Sequence, residues 1–188
     1  MKTIAIQWSG LLLIVGAVLL GAGLVTASFA PEMTQQLPQL ANVLLFLASL
    51  LLLLSLPATY ARQADAAGWL GLIGHALLQT GVLLFIVVSA PPLLYSSFDR
   101  PFENSLSAFL LGIALSLGLL LTAIATVRAG VFPRWAGILL LIGTAGFFFS
   151  FFIAEWLPRL AGQVVGVITN IPVGLALAWI GFSMWKRL

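Results

Sequence analysis

Residues 134–143 read RWAGILLLIG, and the Trp, the Gly two places later and the run of Leu and Ile behind it decide the fold. The same order begins at Trp8 (WSGLLLIVG, 8–16) and at Trp69 (WLGLIG, 69–74). Each Trp also has a base shortly before it: Lys2, Arg62 and Arg128 respectively. Trp rings favour the headgroup level of a bilayer, and Lys and Arg favour its inner side. An apolar run behind such a pair therefore reads as a helix leaving the inner surface, so Trp8, Trp69 and Trp135 are expected to be interface anchors.

Working outward, the whole 188-residue chain carries the same signal, being 62% hydrophobic and only 7% charged. Ordinary soluble domains carry about 25% charged residues. The expectation is an integral membrane protein, in which bilayer thickness sets the structural unit at about 20 apolar residues per helix. Pro, Gly and charge divide the chain into six such stretches, at about 7–30, 38–60, 68–90, 105–128, 134–157 and 160–185. These runs are continuous and too long for barrel strands, which alternate apolar and polar over about ten residues. The predicted fold is all-α, a polytopic membrane helical bundle of six transmembrane helices forming a single transmembrane domain over 1–188. Met1-Lys2 with Ser28-Phe29-Ala30 resembles a signal peptide, but the apolar core from Ile4 to Ala30 exceeds the usual 7 to 15 residues. It is read as an uncleaved helix.

Lys and Arg in short loops resist translocation and so set orientation. Six crossings place Lys2, Arg62, Arg128, Arg134, Lys186 and Arg187 on one side, and only Arg100 and Arg159 on the other. Glu32, Asp99, Glu103 and Glu155 fall opposite the basic side, which holds Asp65. Both termini are expected in the cytoplasm. The net charge of +3 forms no basic patch with interleaved aromatics, so nucleic acid is not an expected partner.

The three Trp-x-Gly starts suggest three repeated helical hairpins about an axis along the membrane normal. The segment Val131-Phe132-Pro133-Arg134-Trp135-Ala136-Gly137, continuing to Ile142-Gly143, resembles the Pro-Arg-Trp helix start of small bacterial six-helix membrane proteins of unknown function. That resemblance covers about twenty residues and implies a helical bundle in the bacterial plasma membrane. It supplies no catalytic residues.

Helices in lipid gain little from hydrophobicity when they associate, so small residues that permit close approach should mark their contacts. Gly162, Gly166, Asn170, Gly174 and Ala178 recur every four residues and form the clearest ridge. Ala17 with Gly21, Gly112 with Ser116, and Gly146 with Ser150 and Ala154 are shorter versions. Pro172 cannot donate to the carbonyl of Ile168 and is expected to bend the sixth span beside Asn170. Pro91-Pro92 should end the third span near Tyr95, while Pro57 sits in the last turns of the second.

Candidate chemistry is sparse. His75 is the only histidine, and Gln79 lies one turn further along its face. A lone imidazole can ligate a haem or chlorophyll metal or bind a quinone oxygen. The favoured reading is instead an interhelical hydrogen bond to Asn170, Ser116 or Thr144, so no cofactor is required and metal ligation at His75 is not favoured. There is no cysteine, which removes disulfides and thiolate sites. No Gly-x-Ser-x-Gly elbow, His-x-x-x-His pair or intramembrane carboxylate occurs. Glu155 lies within a turn of the outer surface, and the loop 96–104 (SSFDRPFEN) should cap the fourth helix. The run Phe147-Phe148-Phe149-Ser150-Phe151-Phe152 surrounds the fifth helix, so some of its rings must face lipid or a partner.

These features point to a non-enzymatic membrane subunit or scaffold that packs against other membrane chains or against copies of itself. The alternative is a carrier or binder of an apolar small molecule, pigment or lipid, in a pocket near His75, Gln79, Asn170 and Ser116.

Overall fold

In a computed structural model the described backbone comprises residues 2–29, 36–89, 106–153 and 159–186, with side chains described at 4–27, 39–87, 109–149 and 164–186. Apart from the short link at 130–133, the described chain is helical throughout. It forms five elements: α1 (Lys2–Phe29), α2 (Gln36–Ser89), α3 (Leu106–Ala129), α4 (Arg134–Ile153) and α5 (Arg159–Lys186). Glu32, Pro91, Pro92, Tyr95, Asp99, Arg100, Glu103, Ala154, Glu155 and Arg187 lie outside the described residues. So do the side chains of Lys2, Ser150, Phe151, Phe152, Arg159 and Gly162.

Six separate helices were the expectation, and the count is corrected to five described elements. The second and third spans are one 54-residue element, interrupted only at Gly68 (φ 57, ψ −153). The reason lies in residues 61–67 (ARQADAA), which end an apolar run with charge but are good helix formers. Charge stops a crossing of hydrocarbon; it does not stop a helix. Gly68 does, because its combination of positive φ and extended ψ is open essentially to glycine alone. A straight helix of this length would reach about 80 Å. Instead the two arms, 36–67 and 69–89, double back on each other, so that Thr59 and His75, sixteen residues apart, touch at 3.1 Å.

Among the described residues, four stretches are long and apolar enough to cross a membrane: Ile4–Ala27, Gln39–Val87, Phe109–Ala129 and Val164–Lys186. Arg134–Phe149 is apolar but shorter. Each element packs on its neighbour in the chain and α5 returns to α1, closing a ring. Close backbone approach is the rule at these contacts. A methyl group added to Gly10 would stand 2.7 Å from the Gly181 carbonyl oxygen, and one on Gly181 would stand 2.7 Å from that of Gly10. Between the second arm of α2 and α3, a Cβ at Gly74 would meet the Thr122 amide nitrogen at 2.7 Å, and Gly118 seats against the backbone of Leu78. Gly143 and Gly146 press on Val173 and Thr169, joining α4 to α5.

The three Trp-x-Gly starts find their meaning here. Trp8, Trp69 and Trp135 are 62%, 73% and 66% exposed, whereas Gly10, Gly71 and Gly137 are all buried. Two residues on a helix are about 200° apart, so an outward anchor and an inward contact need this spacing. The threefold repeat itself is not supported, since the three glycines have different surroundings. Gly10 meets Gly181 of α5, Gly137 meets Val127 of α3, and Gly71 lies nearest Ala67 in its own turn.

The distribution of side chains is inverted relative to a soluble protein. Leu54, Ile168 and Leu175 face outward at 56–65% exposure, while Ser49, Ser55, Thr59, Gln63, His75 and Thr126 are buried. Leu13, Leu52, Leu56, Leu78, Leu140, Val173 and Leu177 complete the interior.

Candidate functional site

Among the described residues, two small neighbouring cavities lie in the bundle interior. The first, of about 70 Å³, is walled mainly by leucine together with Val82, Phe85, Phe147, Val173, Ser49 and Asn170. The second, of about 10 Å³, is lined by Thr59, Gln63, His75, Thr122, Thr126 and Phe132, among apolar neighbours. Leu56, Leu78 and Leu177 belong to both walls and stand between the two. The smaller cavity lies toward the end of the bundle where Gly68 turns α2 and Gly130 turns α3 into α4.

His75 sits on the second arm of α2, where the hairpin at Gly68 swings it against the first arm. Its Nδ1 is 3.2 Å from the Gly71 carbonyl oxygen, which can only accept a hydrogen bond. That geometry puts the proton of a neutral ring on Nδ1 and leaves Nε2 to accept from the Thr59 hydroxyl at 3.1 Å. That single hydroxyl proton is shared with the Leu56 carbonyl oxygen, which stands closer, at 2.7 Å. Tyr60 packs its ring 5.2 Å from the imidazole. Across the bundle, the Thr126 hydroxyl donates to Gln63 Oε1 at 3.3 Å, tying α3 to the first arm of α2.

The expected hydrogen-bond partners of His75 are therefore replaced by Thr59 and Gly71, both within α2. Thr144 bonds back to the Leu140 carbonyl at 2.6 Å. His75, Gln79, Asn170 and Ser116 fall differently about these two cavities. His75 lines the smaller cavity, Asn170 the larger, and half-buried Gln79 and buried Ser116 line neither. With both ring nitrogens beside protein atoms, a metal at His75 would have to displace Thr59. Among the described residues no three His, Asp or Glu side chains gather as metal ligands do. Of the anticipated packing ridge, a Cβ at Gly174 would stand 3.5 Å from the Ala17 carbonyl oxygen and Ala178 packs on the core, while Gly166 is half-buried. The helix stays continuous through Pro172. Of the Phe run, Phe147 turns into the larger cavity, and Phe148 and Phe149 face out.

Thr59, Tyr60, Gln63, Thr122 and Thr126 are the residues that inspection of the sequence passes over. Thr59 with Gln63 and Thr122 with Thr126 are each spaced by four, one helical turn, and that repeated polar pair in apolar surroundings is the signal. Gln63 escapes notice because it falls between two expected spans.

Among the side chains described, charge keeps to one end. Arg62, Asp65, Arg128, Arg134 and Lys186 all lie at the turns or termini there, with Arg62 5.9 Å from the Phe132 ring centre and Lys186 4.9 Å from that of Phe182. No protein-family model matches this chain, and no curated protein or solved structure matches it. The interior as described offers neutral hydrogen bonding and apolar space.

Proposed function

We propose that this chain is a non-enzymatic integral membrane subunit whose outer faces pack against other membrane helices. In this reading it crosses the bilayer six times, through α1, both arms of α2, α3, α4 and α5. The doubling back of α2 at Gly68 supports counting its two arms separately. The basic end, with Trp8, Trp69 and Trp135 around it, faces the cytoplasm by the rule that retains Lys and Arg inside. The resemblance at Pro133-Arg134-Trp135 adds the bacterial plasma membrane to the proposal.

One observation carries the packing role. Val164, Ile168, Ile171, Leu175, Trp179, Phe182 and Trp185 are all exposed along α5 at spacings of three and four, a continuous stripe of large apolar side chains. Only 28% of the apolar window of α5 is buried in the bundle, against 56% for α3. A stripe of that period is the shape another helix accepts. Since the chain has no cysteine, a single Leu175→Cys supplies a unique handle. Oxidative or bifunctional crosslinking in native membranes should convert it to a discrete larger species, whose mass tells a second copy from a different chain. Leu117→Cys, exposed on α3, serves as the reference. Crosslinking at neither position, or equally at both, would remove the proposal.

A second reading rests on the larger cavity, where Asn170 Oδ1 is buried without a hydrogen-bond partner beside leucine walls. A small apolar molecule with one hydrogen-bond donor would suit it. A visible spectrum and native mass spectrum of gently extracted protein test this, through a bound mass that Asn170→Leu abolishes.

A further inference from the structure

We propose that the smaller cavity is a hydration site, holding one water molecule that joins the Gln63–Thr126 pair to the His75–Thr59 pair. The volume sets the class of ligand. About 10 Å³ is close to what a single water needs, and no organic group beyond it would enter. The wall supplies the chemistry: Thr59, Gln63, His75, Thr122 and Thr126 are each 5% exposed or less, so bulk solvent does not serve them. A water in such a place needs two to four polar partners, and this wall carries hydroxyls and an amide from the first arm of α2 and from α3, beside the imidazole of the second arm.

The second observation is the hydroxyl of Thr122. In apolar helices a Ser or Thr ordinarily donates to a carbonyl three or four residues back on its own helix. Ser9, Thr26, Ser49, Ser55, Thr80, Thr144 and Ser183 all do so here, at 2.6–3.1 Å. Thr122 does not. Its Oγ1 is buried with no partner, on a residue whose side chain borders the cavity. A hydroxyl that forgoes its own helix in an apolar interior is costly unless something meets it. Ser116 is the internal contrast, for its Oγ is equally buried and unpartnered but lines neither cavity.

The two positions therefore respond with opposite sign to removal of the hydroxyl. In the full-length protein in detergent or nanodiscs, Thr122→Val should expel the water and lower Tm by about 2–4 °C. Ser116→Ala, which deletes an unmet group, should leave Tm unchanged or raise it. If Thr122→Val also leaves Tm unchanged or raises it, the cavity is dry and the proposal falls. A measurement on the unaltered chain stands beside the variants: selective methyl labelling should show magnetisation transfer from a slowly exchanging water to the Thr122 γ-methyl. Its absence, with transfer visible to lipid-interface methyls, overturns the site whatever the variants do.

Discussion

The two halves of the bundle interior are built on different principles. Toward the basic end, Thr59, Gln63, His75 and Thr126 are joined by hydrogen bonds of 3.1–3.3 Å, and the space left over is about 10 Å³. Toward the other end, leucines with Phe85 and Phe147 leave about 70 Å³ around an unpartnered Asn170 oxygen. Hydrogen bonds have a narrow range of length and so fix how far apart helices stand. Apolar side chains in lipid have no comparable pull, because the hydrocarbon outside is as apolar as the interior. The polar half is therefore drawn tight, and the apolar half closes only as well as shape allows.

That contrast can be broken most severely at Gly74, where arm and α3 approach beside Thr122. Gly74→Leu has no room to relax against backbone, and a loss of about 3 kcal/mol is expected. The measurement is unfolding in mild detergent, and a variant with unaltered Tm would show that the tight half is not tight. Next comes Gly68, whose backbone conformation excludes a side chain although nothing within 4 Å would touch one. Gly68→Ala should cost about 1–3 kcal/mol through strain alone and loosen the Thr59–His75 contact. A His75→Leu variant loses both hydrogen bonds of the ring, each worth about 0.6 kcal/mol inside a membrane protein, for a net cost near 1 kcal/mol. The smallest effect has the opposite sign. Asn170→Leu, in the loose half, removes an unmet oxygen and adds apolar volume, so Tm should hold or rise by a degree or two. If His75→Leu and Asn170→Leu shift Tm alike, the distinction between the halves has no energetic content.

Much of the architecture is legible residue by residue. The limits of α1, α3 and α5 fall within a few residues of the apolar runs, because a hydrocarbon interior forces every backbone group to bond within its own helix. The outward turn of Trp8, Trp69 and Trp135 follows from the same solvent argument. The reversal of α2 was only half legible: the third span was expected to begin at Gly68, but the helix of the first arm runs on through Arg62 and Asp65, whose charges mimic a loop, up to that glycine. The backbone-to-backbone approach of α5 to α1 lies at Gly181, beyond the ridge of Gly162, Gly166, Gly174 and Ala178. His75 was visible as the only histidine, but the residues that meet it depend on where the chain reverses.

By itself the sequence determined that this is a helical protein suited to lipid, and where its apolar runs begin and end. Those are consequences of transfer between water and hydrocarbon, which each residue feels alone. Only the tertiary structure decided that Gly68 folds α2 onto itself, that Thr59 and Gly71 hold His75, and that Asn170 and His75 line separate cavities. Those depend on which helix stands beside which, a property of pairs of distant segments that no single stretch carries.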